Sequence, residues 1–82
     1  MTQLVLYGTS ACHLCELAEQ LLVEVLIEYP ELVVELVDIA DDDALVDLYG
    51  TRIPVLERSD GRILCWPFYA VEVVDFAYGG DV

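Results

Sequence analysis

A helical stripe framed by two strand-like runs leaves this chain few folds to choose from. Leu14, Leu17, Ala18, Leu21, Leu22, Val25, Leu26 and Tyr29 recur at three- and four-residue steps, while Glu16, Glu19, Gln20, Glu24 and Glu28 take the opposite face. Pro30 closes the pattern. Upstream, residues 3–7 are mostly apolar and stop at the turn cluster Gly8-Thr9-Ser10. Downstream, residues 32–39 are short and β-branched, which suits a second strand. Ser10 is the expected N-cap of the helix, its hydroxyl free to accept from an orphan backbone N–H. Strand, helix and strand in that order make a right-handed parallel crossover.

The remainder extends the sheet. Asp41-Asp42-Asp43 supplies carboxylates that cap a helix start and complement its dipole, and residues 44–49 give a short second helix. Gly50 stands where a left-handed cap residue belongs. Residues 54–58 and 62–65 read as two short strands around Ser59-Asp60-Gly61, a hairpin signal. Pro67 fits the first position of a last helix from Phe68 to Tyr78, ended by Gly79-Gly80. Val71, Val73, Val74 and Phe76 also suit a strand, but length and spacing favour the helix. The expected fold is α/β, in the order β-α-β-α-β-β-α, with a mixed four-stranded sheet and helices on both faces. Residues 1–82 form one domain in this reading, with no repeat or linker.

Composition narrows the partners. A chain of 82 residues must have a densely apolar core, and 57% of its residues are hydrophobic. Sixteen acidic residues stand against Arg52, Arg58 and Arg62, with no lysine, for a formal net charge of -13. Phosphate binding draws on Lys and Arg, so nucleic acid is not an expected partner, nor is an anionic membrane surface. The charge keeps an apolar small protein soluble, or it steers a basic protein partner toward it. Glu or Asp interrupts every apolar run well short of the roughly 20 residues of a membrane span. Residues 1–7 lack a basic segment and a cleavage site, and read as a first strand rather than a signal peptide. The expected location is the cytoplasm.

Three cysteines are too few, and odd in number, for a disulfide-stapled scaffold. At Cys-x-x-Cys spacing in a cytosolic chain, Cys12 and Cys15 point to redox chemistry, with metal binding and inert burial as alternatives. Their placement between a strand-and-turn and a long helix matters chemically. Amides at a helix N-terminus carry partial positive charge and stabilise a thiolate, the attacking species in disulfide exchange. An exposed Cys12 is then the nucleophile, and Cys15, a turn further on, resolves the mixed disulfide. His13 either tunes the Cys12 thiolate or points into solvent. Glu16 and Glu19 act against a thiolate. Zinc wants four ligands, and only Cys65 and His13 are available beyond the pair, so no metal site is expected. Cys65, at a strand end, is read as a core cysteine, with a third redox thiol as the alternative. Trp66, Phe68 and Tyr69 are read as core, with the lining of a substrate groove as the alternative.

The run Leu4-Val5-Leu6-Tyr7-Gly8-Thr9-Ser10-Ala11-Cys12-His13-Leu14-Cys15, with Thr51-Arg52-Ile53-Pro54-Val55-Leu56 some forty residues later, resembles the glutaredoxin branch of the thioredoxin superfamily. The element order extends the likeness over nearly the whole chain, closest to a small glutaredoxin-like subfamily. The resemblance implies a thioredoxin-like, glutaredoxin-type fold in which Ile53-Pro54 is a cis bond abutting the dithiol. It also implies that the Ile53 backbone pairs with an extended substrate, with Arg52 and His13 close by. Glutathione is the co-substrate that the family suggests. However, the family's usual Pro-Tyr between the cysteines is His13-Leu14 here, and its late Gly-Gly with an acidic residue is replaced by Cys65-Trp66-Pro67-Phe68-Tyr69. No tightly bound cofactor is expected.

The expected function is therefore that of a thiol–disulfide oxidoreductase. Its substrate would be a disulfide-containing protein, a small disulfide or a mixed disulfide with glutathione. Two other classes stay open: a binding module or redox switch for a basic protein partner, and a metal or cluster carrier.

Overall fold

Alternation along the strands decides which face each helix covers. In the computed structural model, which describes residues 3–79, the elements are β1 (Gln3–Gly8), α1 (His13–Glu28), β2 (Val33–Asp38), α2 (Asp43–Tyr49), β3 (Val55–Arg58), β4 (Ile63–Cys65) and α3 (Ala70–Tyr78). Met1 and Thr2 of the expected first strand, and Gly80 of the expected Gly-Gly stop, lie outside the described residues. The sheet order is β2-β1-β3-β4. β1 pairs with β2 in parallel, from Gln3 opposite Val33 to Gly8 opposite Asp38. β3 is antiparallel to β1, with Tyr7 opposite Val55 and Leu4 opposite Arg58, and β4 is antiparallel to β3.

Leu4, Leu6 and Leu56 point to one face and pack with Ala18, Leu22 and Val25 of α1 and with Val73 and Ala77 of α3. Their odd-register neighbours Tyr7, Val55 and Cys65 point to the other face, where Tyr49 of α2 and Ile39 complete a smaller cluster. The tyrosine rings of Tyr7 and Tyr49 stack there with centroids 4.9 Å apart. Thus helices cover both faces of a mixed four-stranded sheet. Cys65 belongs to the α2 face and packs against that second cluster.

Four local expectations change. The N-cap of α1 is Cys12, not Ser10: the Sγ of Cys12 accepts from the Cys15 amide at 3.1 Å, because the chain stays extended through Cys12 (φ -109°) before turning helical. Gly50 is right-handed (φ -54°) rather than left-handed, since its N–H continues the α2 ladder to the Val46 carbonyl at 2.8 Å. Pro67 does not open α3: the Trp66–Pro67 bond is cis, and the helix begins at Ala70, where the Glu72 carboxylate accepts from the Tyr69 amide at 2.8 Å. The aromatic trio divides, with Phe68 buried, Trp66 half-buried and edge-on to it, and Tyr69 exposed.

The hairpin closes as its Asp-Gly turn requires, with Gly61 at φ +93°, a conformation glycine adopts without steric cost. Arg58 next to it is 9% exposed. Its Nη1 donates to the carbonyls of Phe76 (2.9 Å) and Gly79 (3.1 Å), and its Nη2 pairs with Asp60. None of the helices carries a basic residue in its last turn. Arg58 supplies that charge to α3 from the sheet, where a cation suits the negative end of the helix dipole. Among the described residues no helix is long and apolar enough to cross a membrane.

Candidate active site

The chemistry-bearing end of the molecule is where β1 stops. Gly8 ends the strand, the loop of residues 9–11 turns the chain, and Cys12 caps α1. The Cys12 amide donates to the Thr9 carbonyl (3.3 Å), and the Cys12 carbonyl accepts from Glu16 (3.2 Å), which ties the loop to the first helical turn. Cys12 is half-buried and its sulfur receives the Cys15 amide. A backbone N–H directed at sulfur is the interaction that supports negative charge there.

Cys15 sits one turn deeper, 2% exposed. Burial, first, and hydrogen bonding to Cys12, second, push its thiol up to about 11, with the Thr9 backbone acting in the opposite direction. Cys15 therefore holds its proton near neutral pH, and both thiols are free. The depth of Cys15 depends on Gly8: a β-carbon at Gly8 would lie 3.0 Å from the Sγ of Cys15 and 3.2 Å from its Cβ. Sequence reasoning took Gly8 as a turn residue only. The available signal was a glycine at a strand end, where backbone approaches another group closely.

Pro54 precedes β3 at this same end of the sheet. Its peptide bond with Ile53 is cis, and its side chain is fully buried. Tyr7 opposite Val55 is the last pair of the β1–β3 ladder on this side, so Pro54 stands at the end of the sheet where β1 stops. The Pro54 carbonyl accepts from Trp66 at 3.1 Å. The Ile53 amide is already committed, donating to the Tyr49 carbonyl at 3.0 Å. Of the Ile53 backbone expected to pair with a substrate strand, this leaves the carbonyl. Arg52 is exposed, its amide held by the same Tyr49 carbonyl at 2.8 Å. His13 also faces outward, 79% exposed, with Nδ1 3.5 Å from the Glu16 carboxylate. Among the described residues no three His, Cys, Asp or Glu side chains converge to hold a metal ion. Cys65 lies across the sheet from the dithiol, on the α2 face.

A cavity of about 180 Å³ opens beside Cys15, between the loop after β1 and the end of β2. Its walls include Thr9, Ser10, Cys15, Glu19 and Asp38.

The sequence model of the glutaredoxin-like domain (DUF836) matches residues 3–76, which include both cysteines and Pro54. The chain belongs to that family. Two solved structures of the structural-genomics target protein XcR50 from X. campestris are similar to this glutaredoxin-like domain. The crystal structure is 40% identical, covers 89% of this chain and 92% of its own, and superposes with a TM-score of 0.72. The solution structure is 41% identical, covers 89% and 88%, and gives 0.70. Thioredoxin O2 from Arabidopsis thaliana, in its oxidised state, shares 18% identity over 93% of this chain and 71% of its own, with a TM-score of 0.67. That likeness is one of fold, a mixed sheet covered by helices on both faces. No curated protein matches the chain.

Proposed function

We propose that this glutaredoxin-like domain is a thiol–disulfide oxidoreductase acting through Cys12 and Cys15. One observation carries the reading: the half-buried Cys12 caps α1 and receives the Cys15 amide at 3.1 Å, while the second thiol waits one turn deeper. As a thiolate, Cys12 attacks one sulfur of a substrate disulfide; the S–S bond breaks, and the leaving thiolate takes a proton from solvent. Cys15 then loses its proton and attacks the Cys12 sulfur. The substrate's second sulfur leaves as thiolate, and the Cys12–Cys15 disulfide remains. The substrate is reduced by two electrons and the dithiol is oxidised by two. The enclosed Pro54 ring holds the loop before β3 in place, and the carbonyl of the half-buried Ile53 accepts one backbone hydrogen bond from an extended substrate. Arg52 and His13 flank the approach. The substrate is a disulfide-containing protein or a small disulfide, and glutathione serves at most as a passing co-substrate. The chemistry suits a reducing compartment such as the cytoplasm.

A disulfide-reduction assay tests this with pre-reduced protein. Wild type oxidises itself as it releases two thiols per molecule, Cys12→Ser releases none, and Cys15→Ser stops at a mixed disulfide visible by mass spectrometry. Equal turnover by Cys12→Ser and wild type would overturn the assignment.

A further inference from the structure

Charge is distributed unevenly between the two ends of the sheet. Arg58 lies opposite Leu4, at the start of β1, and both Arg58 and Arg62 engage Asp60 at the β3–β4 turn. The dithiol follows Gly8, four residues beyond Leu4, so roughly 13 Å of strand separates the two arginines from it. That distance exceeds the Debye length of about 8 Å at physiological ionic strength, which leaves those cations little influence on the dithiol end. Arg52 is the remaining basic side chain of the sequence. Against it stand Glu16 on the first turn of α1 and the Asp41-Asp42-Asp43 run that follows the end of β2. Most directly placed are Glu19 and Asp38, which share the walls of the 180 Å³ cavity with Cys15. Asp38 keeps one oxygen on the Ala40 amide (2.9 Å), which fixes the carboxylate at the cavity's edge. The cavity is open and lies beside the sulfur that the proposed reaction uses second, and the Cys12 sulfur is 3.1 Å from the Cys15 amide, so a group borne on a substrate sulfur held by Cys12 lies next to it.

From this geometry we infer that the dithiol selects disulfides carrying a cationic group next to the sulfur, such as cystine bridges flanked by Lys or Arg, or disulfides of aminothiols. Glu19 and Asp38 are the specificity-determining carboxylates. This rests on the oxidoreductase reading and adds the substrate class to it. A positive group near the scissile bond meets complementary potential both during approach and in the mixed disulfide. An anionic group, as in oxidised glutathione, meets the like charge of the same two carboxylates. Complementary potential acts mainly on the encounter rate and falls with salt.

The test is single-turnover thiol release from pre-reduced protein with three probes: cystamine (dicationic), hydroxyethyl disulfide (neutral) and oxidised glutathione (anionic). At low salt, cystamine should react about tenfold faster than hydroxyethyl disulfide, and oxidised glutathione slower than either; that advantage should shrink as salt is raised. The double variant Glu19→Gln/Asp38→Asn preserves shape and the Asp38 turn. It should bring the ratio of the cystamine rate to the hydroxyethyl disulfide rate severalfold closer to one, a readout that a change in thiol reactivity common to both probes does not move. Glu24→Gln/Glu28→Gln removes the same charge from the α3 side of α1 and should keep the wild-type ratio. Equal rates for cystamine and hydroxyethyl disulfide, or a ratio that both double variants change alike, overturns the inference while the oxidoreductase reading stands. Failure to release thiol from all three probes overturns both.

Discussion

Gly8 and Cys15 are packed so closely that no side chain fits between them: a β-carbon on Gly8 would stand 3.0 Å from the cysteine sulfur. The strand end, the cysteine's depth and the loop that carries Cys12 are therefore one packing unit. Gly8→Ala forces Cys15 or the loop to shift by a few tenths of an ångström, an overpacking that costs about 1–3 kcal/mol. The expected outcome is a lower urea midpoint, together with slower release of the second thiol, the step that needs Cys15. Release of the first thiol should keep its wild-type rate. Gly8→Val should exaggerate both effects. A Gly8→Ala protein identical to wild type in stability and in second-thiol release would contradict this account.

Cys15 should be a reluctant nucleophile in isolation. Burial is the larger cause holding its thiol at about 11, and burial persists when Cys12 is replaced. In Cys12→Ser the iodoacetamide modification of Cys15, followed by peptide mapping to separate it from Cys65, should keep rising with pH beyond the point where an ordinary thiol levels off, near its pKa of about 8.5. The sign follows from the thiolate being the reactive form: a raised pKa lowers reactivity at every pH below it. A plateau near pH 8.5 would mean that Cys15 is not desolvated as the geometry requires.

These two residues also mark how far the sequence carries. The stripe from Leu14 to Tyr29 and the β-branched run after Pro30 were enough for the crossover, because a period of three to four residues and a short extended run have one compact solution. The dithiol was legible as spacing plus setting. The cap was not, since Ser10 and Cys12 both precede the helix, and only the backbone angle at Cys12 determines which side chain meets the free amides. Gly50 and Pro67 misled for a similar reason. Each is read from a positional preference, and each takes a different local conformation here because its neighbours continue or delay the helix. The commitment of the Ile53 amide to Tyr49 is a contact between the end of α2 and the loop before β3, with no mark in the local pattern. Arg58 left a faint signal, as a lone cation in an apolar strand of a chain whose helix ends carry no basic residue.

Replacing Arg58 should be among the most damaging single changes away from the dithiol. Its guanidinium is almost completely enclosed, bonds two carbonyls at the end of α3 and lies 5.9 Å from the centroid of the Phe76 ring. Truncation removes the charged donor from both carbonyls, at a cost of about 1.5–3 kcal/mol. Arg58→Met, which preserves most of the stem, should therefore still lower the denaturation midpoint clearly. Arg58→Lys should recover only part of the loss, because an ammonium cannot reproduce the planar fork that reaches both carbonyls and Asp60 at once. Amide hydrogen exchange provides the local readout, with protection lost first in the last turn of α3. Full stability in Arg58→Lys would show that charge alone, without the fork, is what α3 needs.

The partner of that arginine sets an acid limit on the same corner. The hydrogen bond from Arg58, ahead of the Arg62 backbone and the charges of both arginines, holds the Asp60 carboxyl at about 2, against about 3.9 in an unfolded chain. As pH falls, the unfolded chain takes up this proton first, so the contribution of Asp60 to stability is complete above about pH 5. It drains away between that point and about pH 2. Asp60→Asn has no such proton to bind, while every other carboxylate titrates alike in both proteins. The gap in Tm between wild type and Asp60→Asn should thus be constant from pH 7 to about 5 and then narrow steadily toward pH 3. High salt should diminish the gap without moving the pH at which it starts to close, since Asp60 is exposed enough to be screened. A gap independent of pH would mean that Asp60 keeps its ordinary acidity and that Arg58 is held by the α3 carbonyls alone.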